Sequence, residues 1–480
     1  MAPQQFPSVS RESTLAKLPA EYASDAQDQI SNILATTPIN RLVVLDDDPT
    51  GTQTCHDISV LTVWDVSTLV AEFQSNSPGF FILTNSRALP PAEAETLIRT
   101  ICTNVAEAAK ATGNKVDIVL RGDSTLRGHF PLEPDVVQSV FGPADALVLA
   151  PFFFQGGRFT IGDVHYVAEG VKLVPAGSTQ FAQDATFGYK SSCLRDYVLE
   201  KAPGRFSEDQ LYSVTIEEIR KGGPDAVCEK LMAAPKGGVV IVNAAAESDM
   251  HIFVAGLLLA ESKRKHFLYR TGAAFVSTRL GIRSKAPISA AELRLPSPRE
   301  TGGLIMAGSY VPKTTAQLKV LTDRLGTSGK LEVIEIQVEE LIASPETAEQ
   351  TVQRVVKQTE EYLKAGQDTL VMTSRKLVTG GDELSSLKIG SAVAEALVSV
   401  LQRIEVRPRY IVAKGGITSS DAATKGLNIK RATIVGQAAP GVPLWRCDEP
   451  TSRHQGVPFV VFPGNVGGEE TLCDLVEGWH

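Results

Sequence analysis

Short apolar runs alternate with longer amphipathic segments through the first half of this 480-residue chain. Strands buried inside a parallel sheet are apolar on both faces, and alternation of strands with helices is typical of such sheets. The helical spacing of residues 91–112 predicts a long helix. The runs predicted to be strands are 41–46, 79–84, 116–120, 146–150 and 238–243.

The alternation stops between residues 285 and 303, where Pro287, Pro296 and Pro298 lie among small and charged residues. A proline-rich polar stretch of this kind predicts a linker. Beyond it we predict strands at 304–308, 331–336, 369–372, 410–413 and 459–462, and helices at 314–325, 347–365 and 390–404.

The whole pattern predicts an α/β protein of two domains, each a mostly parallel sheet flanked by helices, with a ligand cleft between them. Ligands of such folds bind at the carboxyl ends of the strands, so polar clusters at strand ends are the candidate ligand sites. The predicted boundaries are a leader at 1–38, a first domain at 39–285, a linker at 286–302 and a second domain at 303–480.

Composition excludes several classes of protein. Hydrophobic residues make up 43% of the chain, which is enough to bury large cores, and the net charge of −8 argues against a general nucleic-acid binder. The first 20 residues lack the apolar core of a signal peptide, and no later run is long enough to span a membrane. The six cysteines are scattered singly, which indicates free thiols in a reducing compartment. We therefore expect a cytoplasmic protein.

Three consecutive carboxylates, Asp46, Asp47 and Asp48, follow the first predicted strand, and Thr50 and Gly51 come directly after. Adjacent carboxylates repel one another, so a purely structural role is costly unless cations or donors offset the charge. A turn with capping aspartates accounts for one or two of the three. Carboxylates at this position can accept a proton from a substrate hydroxyl or bind Mg²⁺. We predict Asp47 or Asp48 as the base, and the sequence leaves the choice open.

Arginines follow three other predicted strands. Arg127 lies in the polar run 121–129, Arg158 follows two glycines after an aromatic run, and Arg87 ends the segment 84–87. A planar guanidinium binds a carboxylate or a phosphate through two parallel hydrogen bonds. These strand ends therefore predict a site for a small anion, although an Asp–Arg ion pair that ties the 121–129 turn is the structural alternative.

The second half has few carboxylates at its strand ends and many glycines. Glycine-containing turns occur at 307–310, 414–421, 436–441 and 463–468. Each alone is a weak signal, but together they predict a cradle for nucleotide phosphates, with Ser309 just before a helix. Neither GxxxxGK[ST] nor a GxGxxG after the first strand of either domain is present, which disfavours an ordinary P-loop or dinucleotide fold.

Taken in order, these motifs resemble the four-carbon acid sugar kinase family, once known only as a domain of unknown function. The family's Asp-Asp-x-Thr-Gly is matched at 47–51, its Asp-Ser-Thr-Leu-Arg-Gly at 123–128 and its Gly-Gly-Arg-x-Thr at 156–160. The second half matches a Gly-Ser turn at 308–309, a Gly-Gly-x-Thr at 415–418 and a Gly-Asn-x-Gly at 464–467.

The resemblance implies a sugar-acid-binding first domain and an ATP-binding second domain, with ATP and Mg²⁺ as cofactors. It implies that threonate, erythronate or 3-oxotetronate is phosphorylated at the 4-hydroxyl. The catalytic candidates are Asp47 and Asp48. The substrate-binding candidates are Thr50, Gly51, Ser86, Arg87, Asp123, Ser124, Arg127, Gly156, Gly157 and Arg158. The nucleotide-binding candidates are Ser309, Gly415, Gly416, Ile417, Thr418, Gly464, Asn465 and Gly467.

The chain departs from the family pattern at Arg121, Gly122, His129, Asn243 and the pair Phe462–Pro463. These departures keep the kinase expectation and leave the exact substrate open. Two other functions also remain open. An aldolase or epimerase acting on phosphorylated sugars would use the same anion contacts without ATP, but the second half lacks a basic catalytic set. A non-catalytic sugar-acid-binding protein would gain nothing from the crowded aspartates. The expected partners are a small sugar acid and ATP, without nucleic acid or membrane; a homodimer is left open.

Overall fold

The computed structural model describes residues 4–295, 299–308, 312–374 and 383–480, the side chains of 383–388 excepted. The chain divides into two compact units. The first unit comprises Met1–Thr54 and Val63–Ser284, and the second unit comprises Cys55–Thr62 and Lys285–His480.

Most of the predicted strands are present, and additional strands accompany them. In chain order the strands are β1 (Val9–Ser10), β2 (Arg41–Asp46), β3 (Ile58–Leu61), β4 (Gly79–Leu83), β5 (Val116–Arg121), β6 (Ala146–Ala150), β7 (Arg158–Ile161), β8 (Val164–Glu169), β9 (Lys172–Pro175), β10 (Leu211–Val214), β11 (Gly238–Val242), β12 (Phe267–Thr271), β13 (Leu304–Ala307), β14 (Leu331–Ile336), β15 (Asp368–Thr373), β16 (Ile411–Lys414), β17 (Arg431–Ala439), β18 (Val442–Cys447) and β19 (Pro458–Phe462).

The helices include the long predicted one at α4. They are α1 (Arg11–Leu15), α2 (Gln27–Thr36), α3 (Val66–Phe73), α4 (Pro91–Thr112), α5 (Leu132–Phe141), α6 (Leu194–Lys201), α7 (Gly223–Met232), α8 (Glu247–Ser262), α9 (Ala273–Arg279), α10 (Pro312–Leu321), α11 (Val338–Ala343), α12 (Pro345–Lys364), α13 (Glu383–Arg403), α14 (Gly416–Asp421) and α15 (Thr471–Trp479). Within the described ranges, none of these helices has an apolar stretch of the length that a bilayer crossing requires.

The first unit is built on a parallel sheet with the strand order β10-β11-β6-β12-β5-β2-β4. Its central strands are fully buried, which explains their near-continuous apolar sequences. In the register of this sheet Asp46 lies beside Leu83 and Arg121, and Arg121 lies beside Thr271. The polar residues that end these strands therefore meet at one edge of the sheet.

A small antiparallel sheet, β1-β9-β8-β7, also belongs to the first unit. Its β1 comes from the N-terminal leader, and the guanidinium of Arg11 lies 5.2 Å from the centre of the Phe159 ring on β7. β7 begins at Arg158, one of the arginines predicted to bind an anion. The leader is thus linked through three paired strands to a predicted substrate-binding residue.

The second unit has a mixed sheet with the order β3-β17-β18-β19-β16-β13-β15-β14. The last five strands are parallel, and β3, β17 and β18 are antiparallel to their neighbours. The stretch that we predict to be a linker contributes Ile288 to the core of this unit, where its amide donates a 2.7 Å hydrogen bond to the carbonyl of Gln437. The prediction of two α/β domains with mostly parallel sheets is confirmed.

Candidate active site

The first carboxylate of the triplet, Asp46, is held inside the first unit. Its Oδ1 lies 3.3 Å from Nη1 of Arg121, and both side chains are buried. Burial nevertheless raises the pKa of Asp46 well above its ordinary value, and the charge of Arg121 opposes that effect only in part. Gly51 packs directly on this carboxyl group, because a Cβ at residue 51 would lie 1.9 Å from Asp46 Oδ1. The close approach explains the glycine.

The third carboxylate, Asp48, caps the short 3₁₀ turn Pro49–Thr52. Its Oδ1 accepts hydrogen bonds from the backbone N–H of Thr50 at 2.9 Å and from the Thr50 hydroxyl at 2.6 Å. Its Oδ2 lies 2.5 Å from Nη2 of Arg87. Burial alone would raise the pKa of Asp48, but Arg87 and the two hydrogen bonds outweigh burial and hold it below its ordinary value. Asp48 is therefore an ionised structural anchor.

The second carboxylate, Asp47, is buried, and neither of its oxygens has a hydrogen-bond partner among the described residues. Nη1 of Arg87 is 3.8 Å from Oδ1. Burial raises the pKa of Asp47 to about 6 against the opposing charges of Arg87 and Arg121. Gly128, with φ 122°, leaves this carboxylate uncovered, because a Cβ there would lie 3.3 Å from Asp47 Oδ2. Asp47 thus has acceptor capacity that no described residue uses.

Asp123 organises the arginines around these carboxylates. Its Oδ2 accepts a 2.7 Å hydrogen bond from Nε of Arg127 and another from the hydroxyl of Thr125, and its Oδ1 lies 3.7 Å from Nη1 of Arg87. Burial would raise the pKa of Asp123, but the two guanidinium groups hold it below its ordinary value. The site therefore combines several fixed charges of both signs.

The guanidinium groups of two arginines pack over one aromatic ring. The guanidinium carbons of Arg127 and Arg158 lie 5.2 and 5.8 Å from the centre of the Phe181 ring. Nη1 of Arg127 is 3.6 Å from Oδ2 of Asp184, whereas Arg158 bonds the carbonyl of Gly156 and makes no ion pair with a described carboxylate. Its Nε is buried and has no hydrogen-bond partner among the described residues, and burial lowers its pKa. Arg158 can therefore accept an anion without losing a carboxylate partner.

The loop that carries Asp123 is fixed by groups behind it. Nε2 of His165 lies 2.7 Å from the carbonyl of Ser124, and Nδ1 lies 3.0 Å from the hydroxyl of Thr160. Burial lowers the pKa of His165 to about 4, so the ring is neutral, with Nε2 donating and Nδ1 accepting. The hydroxyl of Tyr197 donates to the carbonyl of Leu126, whose φ is 72°. A branched residue adopts such a φ only when its surroundings impose it.

Ser86 belongs to a buried network that the sequence did not reveal. Its hydroxyl donates a 2.6 Å hydrogen bond to Glu133, which in turn lies 3.3 Å from Nη1 of Arg270. Nη2 of Arg270 donates to the carbonyl of Arg127, and His129 Nε2 donates to the carbonyl of Ser86. The hydroxyl of Ser86 is thus committed inside the protein. A charged residue within the apolar strand β12 was the available signal for Arg270.

Three further substrate-binding candidates shape the backbone. The hydroxyl of Thr50 donates to Asp48, as described above. Gly156 packs against the ring of Phe153, where a Cβ would lie 2.3 Å from the nearest ring carbon. Gly157 has φ 73° and approaches Ala168 closely. Thr50 thus holds Asp48 in place, and the two glycines shape the backbone that leads to Arg158.

In the second unit the predicted nucleotide turns follow β16 and β19. Gly415, with φ 111°, donates its N–H to the carbonyl of Phe462 at 2.8 Å. Gly416 begins α14, Ile417 is 71% exposed, and a Cβ on Gly308 would lie 3.6 Å from the hydroxyl of Thr418. The turns that end β13, β16 and β19 are therefore neighbours.

The last turn is open on one side. A Cβ on Gly464 would meet nothing within 4 Å, and Nζ of Lys313 lies 3.4 Å from the carbonyl of Asn465. Gly467 has φ 80° and lies in the loop that precedes α15. Ser309 lies outside the described residues.

The glycines at 436 and 441 differ from the predicted phosphate turn. Gly436 lies inside β17, and the segment beyond Ala439 turns back into β18 at Val442. The sequence at 436–441 is thus accounted for by a hairpin, so counting it as a fourth phosphate turn was wrong.

No group of three or more His, Cys, Asp or Glu side chains within the described ranges could hold a metal ion. A nucleotide-bound Mg²⁺ needs only one or two protein carboxylates, since phosphates and water supply its other ligands. Oδ2 of Asp46, which is buried and has no hydrogen-bond partner among the described residues, would fit that limited role.

Two family models match the chain. One, described as a sugar-binding N-terminal domain, matches residues 42–279, and the other, described as a nucleotide-binding C-terminal domain, matches residues 304–472. Small-molecule partners fit both descriptions. Among curated proteins no sequence matches the chain.

Two solved structures share the fold. A Salmonella typhimurium LT2 protein, described provisionally as a tRNA synthase, has 16% identity and a TM-score of 0.65, and the match covers 90% of this chain and 98% of that one. A Haemophilus influenzae protein of the DUF1537 family has 18% identity and a TM-score of 0.60, with 91% and 99% covered. The chain therefore belongs to the four-carbon acid sugar kinase family, whose members join a sugar-binding N-terminal domain to a nucleotide-binding C-terminal domain.

Proposed function

We propose that this protein is a kinase that transfers the γ-phosphoryl group of ATP to the 4-hydroxyl of a four-carbon sugar acid, such as threonate, erythronate or 3-oxotetronate. One observation carries the proposal. In a chain that also has a nucleotide-binding domain, the sugar-binding domain holds a buried carboxylate with unused acceptor capacity, Asp47, close to Arg87.

Asp47 is our proposed base. Phosphoryl transfer to an alcohol is helped by a carboxylate that accepts the hydroxyl proton, and a pKa near 6 leaves Asp47 ionised at neutral pH. Asp48 is already bonded by Thr50 and Arg87, so its lone pairs are engaged. The burial and contacts of the two residues thus favour a choice that the sequence left open.

The two arginines on Phe181 are our proposed ligands for the substrate carboxylate. A four-carbon sugar acid has almost no apolar surface, so its affinity must come from charge-assisted hydrogen bonds. Arg158 makes no ion pair with a carboxylate among the described residues, and Arg127 is oriented by its bond to Asp123. Arg158 therefore supplies the uncommitted charge and Arg127 the fixed direction.

ATP binds in this proposal at the glycine turns of the second unit, and Mg²⁺ arrives with it. Bound with the nucleotide, the ion would offset the charge of the transferred and leaving phosphates. Asp46, whose Oδ2 has no hydrogen-bond partner among the described residues, would be the candidate protein ligand.

A coupled assay of ADP release tests the function across isomers of threonate, erythronate and 3-oxotetronate. We expect ADP release that depends on one of these acids. The kcat of the Asp47→Asn variant should be lower by about 10²-fold or more, the scale of losing a general base. Asp48→Asn is the matched variant and should be less affected. Acid binding without ADP release would instead indicate a non-catalytic binder, and conversion of a phosphorylated sugar without ATP would indicate an aldolase or epimerase.

A further inference from the structure

Lys414 is a buried lysine that the motifs did not single out. It is the last residue of β16, its side chain is 0% exposed, and it precedes Gly415. Its Nζ donates a 2.5 Å hydrogen bond to the carbonyl of Pro463 and lies 4.3 Å from the centre of the Phe462 ring. The ammonium group therefore reaches from one glycine turn to the next.

A second lysine approaches the same turn. Nζ of Lys313, at the start of α10, lies 3.4 Å from the carbonyl of Asn465, two residues beyond Pro463. Neither Lys313 nor Lys414 makes an ion pair with a carboxylate in the part of the chain that the structure describes. Burial lowers the pKa of Lys414 to about 7, and the charge of Lys313 adds to that effect.

A buried ammonium group without a carboxylate is costly, and an anion placed beside it offsets that cost. The turn is open at Gly464, because a Cβ there would contact nothing within 4 Å. The N–H of Gly415 is already bonded to the carbonyl of Phe462, so the backbone around Lys414 is fixed without help from a ligand. The ammonium groups are the positive charges that the turn offers.

We propose that Lys414, assisted by Lys313, binds a phosphate oxygen of the nucleotide. Lysine acts as a compact point charge toward phosphates. The carbonyl of Pro463 is a neutral acceptor, so an anionic phosphate oxygen replaces or joins it with a gain in electrostatic energy. The proposal deepens the proposed function, since it names the group that distinguishes a nucleotide from its nucleoside.

Calorimetric titration of the full-length protein tests this assignment with three probes: ADP, inorganic tripolyphosphate and adenosine. Lys414→Met keeps the length and apolar stem of the side chain and removes the charge. We expect at least a tenfold loss of affinity for ADP and for tripolyphosphate, with the affinity for adenosine unchanged. Lys313→Met, at an exposed position, should weaken ADP a few-fold. Lys364→Met removes an exposed lysine that pairs with Glu360 on α12, and it should change nothing.

Three results would overturn the assignment: wild-type affinity of Lys414→Met for ADP, an equal loss of adenosine and ADP, or wild-type protein that binds neither ADP nor tripolyphosphate. Thermal melting checks that Lys414→Met is folded. If that variant does not fold, two other measurements together test the proposal. It is refuted if Lys313→Met binds ADP with unchanged affinity and tripolyphosphate fails to compete with ADP on the wild type. No sugar acid is present in these titrations. Nucleotide binding through Lys414 without ADP release in the kinase assay would therefore reject the proposed function alone.

Discussion

Replacing Asp47 by Asn should stabilise the folded protein at neutral and alkaline pH. Asn resembles the protonated carboxyl group, and it cannot carry the buried negative charge. Because burial raises the pKa of Asp47 to about 6 from an ordinary value of 3.8, folding favours the protonated form. The stability that this residue contributes is fully present below the unfolded pKa and is lost as pH rises through the folded pKa.

The magnitude follows from the difference between the two pKa values. A difference of about two corresponds to about 3 kcal/mol between the protonation states, since one pKa unit is worth about 1.4 kcal/mol. Wild-type protein carries this cost in full above about pH 6. Asp47→Asn should therefore be more stable than wild type by up to about 3 kcal/mol at pH 8, and the advantage should vanish near pH 4. Active sites commonly trade stability for reactivity in this way.

Urea unfolding of wild type and variant between pH 4 and pH 8 measures the difference. Asp48→Asn is the matched control, because it removes a neighbouring carboxylate whose pKa lies below its ordinary value. The expected change in the free energy of unfolding has the opposite sign, because the ionised Asp48 stabilises the fold. The variant should therefore be less stable than wild type at neutral pH, and the two stabilities should converge in acid. Asn is about as favourable as Asp at an N-cap, so the 3₁₀ turn Pro49–Thr52 should keep its conformation in this variant. Equal destabilisation by both substitutions at pH 8 would refute the assignment of the raised pKa to Asp47.

Three further predictions concern catalysis. The kcat/KM for the acid should fall as pH falls through about 6, because the base must be ionised, and a pH–rate profile without an acid limb in that region would exclude Asp47. Arg127→Lys keeps the charge but loses the planar fork of the guanidinium group. Steady-state kinetics should therefore show about a tenfold or larger rise in KM for the acid and a much smaller rise in KM for ATP. A rise in KM for ATP alone would place this arginine at the nucleotide. Arg11→Ala removes the contact with Phe159 on β7, and we expect a two- to fivefold rise in KM for the acid at constant kcat, from a cation–π energy of about 0.5–1 kcal/mol. Arg11→Lys should restore part of the affinity for the acid. An unchanged KM in both variants would show that the leader does not influence the acid site.

Most of the strands that lie deep in the parallel sheets were predicted closely because both of their faces are buried, although the equally buried β12 was not predicted. β2 and β6 match the predicted ranges residue for residue, as does the long helix α4. In these segments every side chain faces apolar surroundings or the pattern has the period of a helix, so local sequence carries the whole signal.

The antiparallel strands escaped prediction for the opposite reason. β8, Val-His-Tyr-Val-Ala-Glu, mixes buried and half-exposed residues, and β17 alternates between them over most of its length. β3 is a four-residue apolar run whose sheet partner, β17, is far away in sequence. The choice of partner depends on tertiary packing, which no local pattern records.

The site shows the same division. Motifs located the three aspartates and the arginines, because charged residues at the ends of buried strands are conspicuous. The different states of Asp47 and Asp48 depend on which carboxylate meets Arg87 and Thr50, and adjacent residues of one type look alike in a sequence. Phe181 and Asp184 lie outside every motif, in a short turn that packs on Arg127 only in the folded protein.

Phosphorus NMR of the reaction mixture tests the central claim most directly. With ATP, Mg²⁺ and the sugar acid that supports turnover, we predict ADP and one new phosphomonoester signal, split into a triplet by the two protons of the terminal carbon. The same mixture with Asp47→Asn should show no such signal on the same timescale. A doublet would place the phosphate on a secondary hydroxyl, and inorganic phosphate or unchanged ATP with all of the acids would contradict the account.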